Sequence, residues 1–200
     1  MNIGSLLSQN ARKFPEVLAI ECEGRSYTYR QFNEEVNRLA NGFLQDGVKK
    51  GEKIALMMKN SDHYVFTFFA IAKIGAVVVP INFRLTSSEV HYILQQSETC
   101  MVVCDLEFEE TVSAAKEGID VRTIITIGEP QTLGYRSYES ALSKNMSEPE
   151  IEVSEQDDLE ILYTSGTTGR PKGALFDHKR IFNVAIAVTI NMGLRPHETI

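Results

Sequence analysis

The spacing of apolar positions changes several times along this chain, and each change marks an element. Ile3, Leu6, Leu7, Ala11 and Phe14 recur every three or four residues, which predicts a short amphipathic helix. Phe32, Val36, Leu39, Ala40, Phe43 and Leu44 fall on one face of a second helix. A Thr28-x-x-Gln31 capping box opens that helix, and Gly47 suits its C-terminal cap. From Lys53 onward, short apolar runs alternate with helical patterns. Strands are expected at 54–58, 76–79, 100–104 and 123–127, and helices at 62–74, 86–96 and 107–117. Ser61 or Asp62 caps the first of these helices, and Thr86-x-x-Glu89 is a capping box for the next. Runs of β-branched residues bounded by helices indicate an α/β fold around a parallel sheet covered on both faces.

Residues 128–158 break the pattern. Glycine, proline, serine and acidic residues dominate there, apart from a short helix expected at 138–143. This stretch reads as a connecting region. It divides the chain into a first α/β subdomain with its connection (1–150) and the start of a second subdomain (151–200). Beyond it, 178–192 is apolar on nearly every side (Ile181, Phe182, Val184, Ala185, Ile186, Val188, Ile190), and such a helix must be covered by protein. Left uncovered, it would make the chain self-associate.

The chemistry concentrates between the last two apolar elements. Residues 162–173 read Leu-Tyr-Thr-Ser-Gly-Thr-Thr-Gly-Arg-Pro-Lys-Gly. Gly166 and Gly169 free the backbone to bend so that successive N–H groups converge on an anion. Thr164, Ser165, Thr167 and Thr168 add hydroxyl donors, and Lys172 supplies a full positive charge. Leu159, Ile161 and Leu162 form an expected strand before the loop, and 174–176 form one after it. A loop leaving a strand end is where α/β proteins bind ligands. This is a phosphate-binding loop, but not a Walker A loop. Pro171 stands where the second glycine is required, and Gly173 follows the lysine where a magnesium-binding hydroxyl belongs. A GTPase or P-loop ATPase is therefore not expected.

Composition narrows the class further. Two hundred residues with 43% apolar content can bury a proper core. A net charge of −7 with no basic stripe argues against nucleic acid as a partner. Phosphate binding needs only local positive charge, for which Arg170, Lys172, Lys179 and Arg180 are candidates. Cys22, Cys100 and Cys104 have no metal-binding spacing, and two cysteines four apart on a strand sit about 13 Å apart, too far for a disulfide. Buried free thiols in a reducing cytosol are expected, hence a cytoplasmic location. The most apolar segment, 64–72, is far shorter than the roughly 20 residues that span a bilayer. No transmembrane segment is expected.

The 162–173 string resembles the signature of the adenylate-forming superfamily, which comprises acyl-CoA synthetases, nonribosomal peptide adenylation domains and luciferases. The likeness extends upstream. Ser-Tyr-Thr-Tyr-Arg-Gln-Phe-Asn at 26–33, with Asn-Arg-Leu-Ala at 37–40, resembles the first motif of that family. Ala-Lys-Ile-Gly-Ala-Val-Val-Val-Pro-Ile-Asn at 72–82 resembles its second. The resemblance implies an acyl-CoA synthetase-like N-terminal domain and a two-step reaction. A carboxylate attacks the α-phosphorus of MgATP to give an acyl-adenylate and pyrophosphate, and coenzyme A then displaces AMP. Carried over residue by residue, Thr164, Ser165, Gly166, Thr167, Thr168, Gly169 and Lys172 hold the ATP phosphates. Lys172 and Thr164 serve the chemistry, and Thr164 also touches Mg²⁺. A fatty acid is the first choice among carboxylic acid substrates, with aryl and amino acids as alternatives. A non-catalytic nucleotide-binding or self-associating module is the competing class. Members of the family are more than twice this long, so the chain reads as an N-terminal fragment inactive alone. His178 matches the family's histidine at the start of the following helix and could face the acyl site, although a polar helix-start residue is the simpler reading. Glu107, Glu109 and Glu110 read as a solvated helix face, and Asp157 and Asp158 as linker charge.

Overall fold

The computed structural model describes residues 1–164 and 171–193. In chain order the elements are α1 (Ile3–Lys13), β1 (Leu18–Cys22), β2 (Arg25–Thr28), α2 (Tyr29–Gln45), β3 (Lys53–Met57), α3 (Asp62–Lys73), β4 (Val77–Pro80), α4 (Ser87–Ser97) and β5 (Thr99–Asp105). A 3₁₀ turn (Leu106–Phe108) leads to α5 (Glu109–Ala115), β6 (Thr123–Ile127), β7 (Arg136–Ser137) and α6 (Tyr138–Ala141). β8 (Asp158–Thr164), β9 (Lys172–Asp177) and α7 (His178–Met192) complete the set.

Seven strands form one sheet in the order β7-β6-β5-β3-β4-β8-β9, parallel except for the antiparallel β8–β9 pair. The expected α/β architecture is therefore present. Alternate side chains of β3 divide the core into two layers. Ile54 and Leu56 join α2, α3 and Tyr138 of α6, while Ala55 and Met57 join Val90, Ile93 and Leu94 of α4 and Val112 of α5. Full burial of each such aliphatic side chain contributes about 1.5–3 kcal/mol, which is why the pattern legible in the sequence sets the layers.

Local signals shape the helices as expected. Thr28 N–H donates to Gln31 Oε1 at 2.9 Å while Gln31 N–H donates to Thr28 Oγ1 at 3.3 Å, closing the capping box of α2. Gly47, at φ +80, turns the chain after that helix. Ser61, not Asp62, caps α3: its Oγ accepts the Tyr64 N–H at 3.2 Å. Asp62 instead is buried and accepts from Arg25 through two contacts of 2.8 and 2.9 Å and from the Tyr27 hydroxyl at 3.0 Å. These charge-assisted bonds outweigh its burial and hold its carboxyl below the usual range.

The β1–β2 hairpin was not expected. Its tight turn places Glu23 and Gly24 at positive φ (49 and 78), and a Glu-Gly pair is a weaker turn signal than Asn-Gly or Asp-Gly. Two readings of acidic residues also change. Glu109 is buried, accepting the Gln131 N–H at 3.0 Å, so it is not part of a solvated face. Asp157 pairs with Lys50 at 2.6 Å and accepts the Ser154 N–H at 2.6 Å, so it fixes the connecting region. That region also contributes β7 to the sheet edge. The three cysteines are free thiols, with Cys100 and Cys104 buried. Among the described residues no helix is long and apolar enough to cross a membrane.

Candidate phosphate-binding site

β8 and β9 position the candidate site. Their antiparallel register pairs Tyr163 with Gly173 and Thr164 with Lys172, so the expected loop joins the ends of one hairpin. Directly opposed residues on an antiparallel ladder project to the same face, with Cβ atoms about 4.5–5.5 Å apart. The Thr164 hydroxyl and the Lys172 ammonium therefore emerge side by side, and both residues are exposed. Lys172 has no ion-pair partner among the described residues, which leaves its charge available to an anion. By contrast, Lys179 lies 3.7 Å from Glu155 and Arg180 lies 3.8 Å from Asp177, so neither belongs to a free cationic cluster. Ser165, Gly166, Thr167, Thr168, Gly169 and Arg170 lie outside the described residues.

The hairpin is seated asymmetrically. A register shift between Asp158 and Glu160 turns Leu159 toward Ile3 and Ala72, whereas Ile161 and Tyr163 pack with the α4 layer. The Tyr163 hydroxyl donates to Gln96 Oε1, pinning β8 to the end of α4. Gly173 lets the strands close: a Cβ there would meet Ile161 Cγ2 at 2.7 Å and the Tyr163 ring at 3.2 Å. β8 joins the sheet through a single register pair with β4, Val78 with Glu160. Burial raises the pKa of the Glu160 carboxyl.

His178 neither faces an open pocket nor sits as a solvated helix-start residue. Its ring is fully buried, and the Ile3 N–H donates to Nδ1 at 3.2 Å. The partner lies 175 positions away, so no local signal could have revealed it. The chain also assembles a buried lysine that sequence reasoning passed over inside the second motif. Lys73 Nζ donates to Ser8 Oγ (2.9 Å), Asn33 Oδ1 (2.7 Å), Asn37 Oδ1 (2.7 Å) and Glu148 Oε2 (2.6 Å). Burial lowers the pKa of this ammonium, while Glu148 opposes that shift.

Residues 7–200 match the AMP-binding enzyme family. The chain belongs to that family. It is 30% identical over 190 residues to a 3-oxocholest-4-en-26-oate–CoA ligase of Rhodococcus rhodochrous, covering 92% of this chain and 34% of the relative. A fatty acid–[acyl-carrier-protein] ligase of Streptomyces coeruleorubidus is 35% identical over 181 residues, covering 90% of this chain and 34% of its own. Among solved structures, an anthranilate CoA ligase in complex with anthranoyl-AMP superposes with a TM-score of 0.87 at 28% identity, over 96% of this chain and 37% of that one. A fatty acyl CoA synthetase of Mycobacterium tuberculosis gives 0.76 at 31% identity, over 90% of this chain and 35% of its own. The chain spans about a third of the length of the curated relatives it matches.

Proposed function

We propose that this chain supplies the phosphate-binding part of an enzyme that activates a carboxylic acid with ATP. The acid attacks the α-phosphorus to give an acyl-adenylate and pyrophosphate, and coenzyme A then displaces AMP to form a thioester. The observation that carries the reading is the cross-strand placement of Thr164 and Lys172 at the mouth of the Ser165–Arg170 segment. A hydroxyl donor and an exposed ammonium suit a polyphosphate, whose transfer needs positioning and charge neutralisation more than a protein nucleophile. Ser165, Gly166, Thr167, Thr168 and Gly169 complete the cradle in this reading. Mg²⁺ fits as a passenger of ATP. It takes oxygen ligands mainly from phosphates and water, and the exposed Thr164 hydroxyl can add one. The residues of this chain hold and orient the phosphates, and the metal offsets their charge when bound.

A fatty acid is the favoured substrate, supported by the fatty-acid ligases among the relatives. In this reading, residues 151–200 open a second subdomain, and the protein works in the cytoplasm. The chain acts within a longer polypeptide and does not turn over alone, which accords with relatives about three times its length. With a panel of carboxylic acids, the complete enzyme is expected to release pyrophosphate and AMP only when an acid is present. Chromatography of the nucleotide products decides it, because accumulation of ADP would sink the proposal. ATP binding without any AMP would favour the non-catalytic module instead.

The same reading accounts for α7. Only its N-terminal end is covered: Ile181 and Phe182 pack with Leu159, while Val184, Ile186, Val188, Ile190 and Met192 are exposed. A helix that leaves this many apolar side chains exposed marks an interface. We expect the 200-residue chain to self-associate through it. Sedimentation velocity at tens of micromolar should show dimers or larger species, and a single monomer peak would overturn this expectation.

A further inference from the structure

The chain's first helix holds the base of the β8–β9 hairpin, opposite the end that carries Thr164 and Lys172. Ile3 is the first residue of α1, where a backbone N–H has no partner inside its own helix. The buried His178 ring satisfies it. That bond requires a lone pair on Nδ1, so the seated ring is neutral and carries its proton on Nε2. Nε2 is itself buried with no hydrogen-bond partner among the described residues. No second acceptor is therefore in place to stabilise a doubly protonated ring.

Further contacts pull the same way. Asn2 Nδ2 donates to the Val153 carbonyl at 2.7 Å, and Ser8 Oγ donates to Glu148 Oε2 at 2.8 Å, tying α1 to the connecting region. The connecting region in turn holds the start of α7. The His178 N–H donates to the Asp157 carbonyl at 3.2 Å, and the Lys179 N–H to that of Glu155 at 2.9 Å. Asp158 and Asp177 are register neighbours at the hairpin base.

We infer that α1 is a pH-sensitive latch: seated, it locks the hairpin base through the neutral His178 ring, and protonation of that ring releases it. Its effect on catalysis rests on the proposed role of Thr164 and Lys172, but the latch itself does not.

The groups facing the ring act in opposite directions. Burial lowers its pKa most, Asp157 and Asp177 raise it, and Lys50 and the Met1 amino group lower it, leaving it at about 4. Glu155 lies between the Met1 amine (2.7 Å) and Lys179 (3.7 Å) and is occupied by both. A released, solvated histidine titrates near 6.5. The seated ring therefore binds fewer protons than the released one between those values. Latching is at full strength above about pH 6.5, weakens by about tenfold per pH unit below it, and levels off near 4. Glu148, Glu155 and Asp157 are held below the usual carboxylate range, so they keep their charge over the upper part of that window.

Hydrogen exchange of the α1 amides in the 200-residue chain, corrected for intrinsic rates, tests the latch between pH 7 and 5. Opening should rise by about tenfold per unit once the pH falls below 6.5. His178→Asn keeps an acceptor at the Nδ1 position but cannot titrate, so its opening should stay flat. A second pair guards against a misfolded Asn variant. Ile3→Ala and Ile3→Pro both remove the buried side chain, and proline fits the first helical position while lacking the N–H. At pH 7 the proline variant should open about fivefold to tenfold more often than the alanine variant, the value of one net hydrogen bond. Flat opening in the native chain, an unchanged slope in a folded His178→Asn, or equal opening of the two Ile3 variants would overturn the inference. Because no nucleotide product is read, its failure is distinguishable from failure of the proposed reaction.

Discussion

Lys172→Ala is expected to lower AMP formation by the complete enzyme by about a hundredfold to a thousandfold and to leave the fold in place. The magnitude is that of removing one preorganised donor from developing charge in a transition state. A charge-assisted contact to phosphate is stronger than a neutral one, so Ser165→Ala and Thr168→Ala should cost less than the lysine. The stability half follows from the surroundings. Lys172 is exposed at the start of β9 and has no ion-pair partner among the described residues, and substitutions at such positions shift stability by no more than about 0.5 kcal/mol. Turnover and thermal unfolding measured on the same preparation separate the two effects. A variant that unfolds yet keeps most of its turnover when folded would make the lysine structural and remove it from the site.

Gly42→Ala is expected to destabilise the chain by more than about 3 kcal/mol, although alanine is the better helix former by about 1 kcal/mol. Gly42 lies inside α2, and a Cβ there would sit 1.9 Å from the Ala141 carbonyl oxygen and 3.1 Å from its carbon. That carbonyl has little room to retreat. Tyr138 is buried in the same short helix with its ring edge-on to His63 at 4.8 Å, and the Ser143 N–H donates to the Arg38 carbonyl at 3.0 Å. For a domain of this size the penalty corresponds to a loss of about 10 °C in Tm. Thermal unfolding by circular dichroism checks it. An unchanged or raised Tm would mean that α6 can move aside and that the close approach contributes nothing.

The sequence determined the elements because their signals are local. Apolar spacing set the helix face of α2 and the largely buried strands β3 to β6. For α1 it found the buried Ile3 and Leu7 but not the end of the face, since Phe14 lies past the helix and is exposed. Two capping boxes set helix starts to within a residue. The 162–173 string named the family and placed a hydroxyl and a lysine at the ends of one loop. The tertiary structure decided everything that depends on partners distant in sequence. Asp62 could pass for a helix cap until Arg25 and Tyr27 closed around it, and Glu109 for a surface charge until Gln131 arrived. Lys73 looked like one letter of a motif until Ser8, Asn33, Asn37 and Glu148 converged on its ammonium. His178 looked like a polar helix start until the first turn of α1, 175 residues away, reached its ring. In each case the side chain alone fixes which bonds it can make, but burial, which removes water as the alternative partner, is a property of the packed chain and decides which of those bonds it must make.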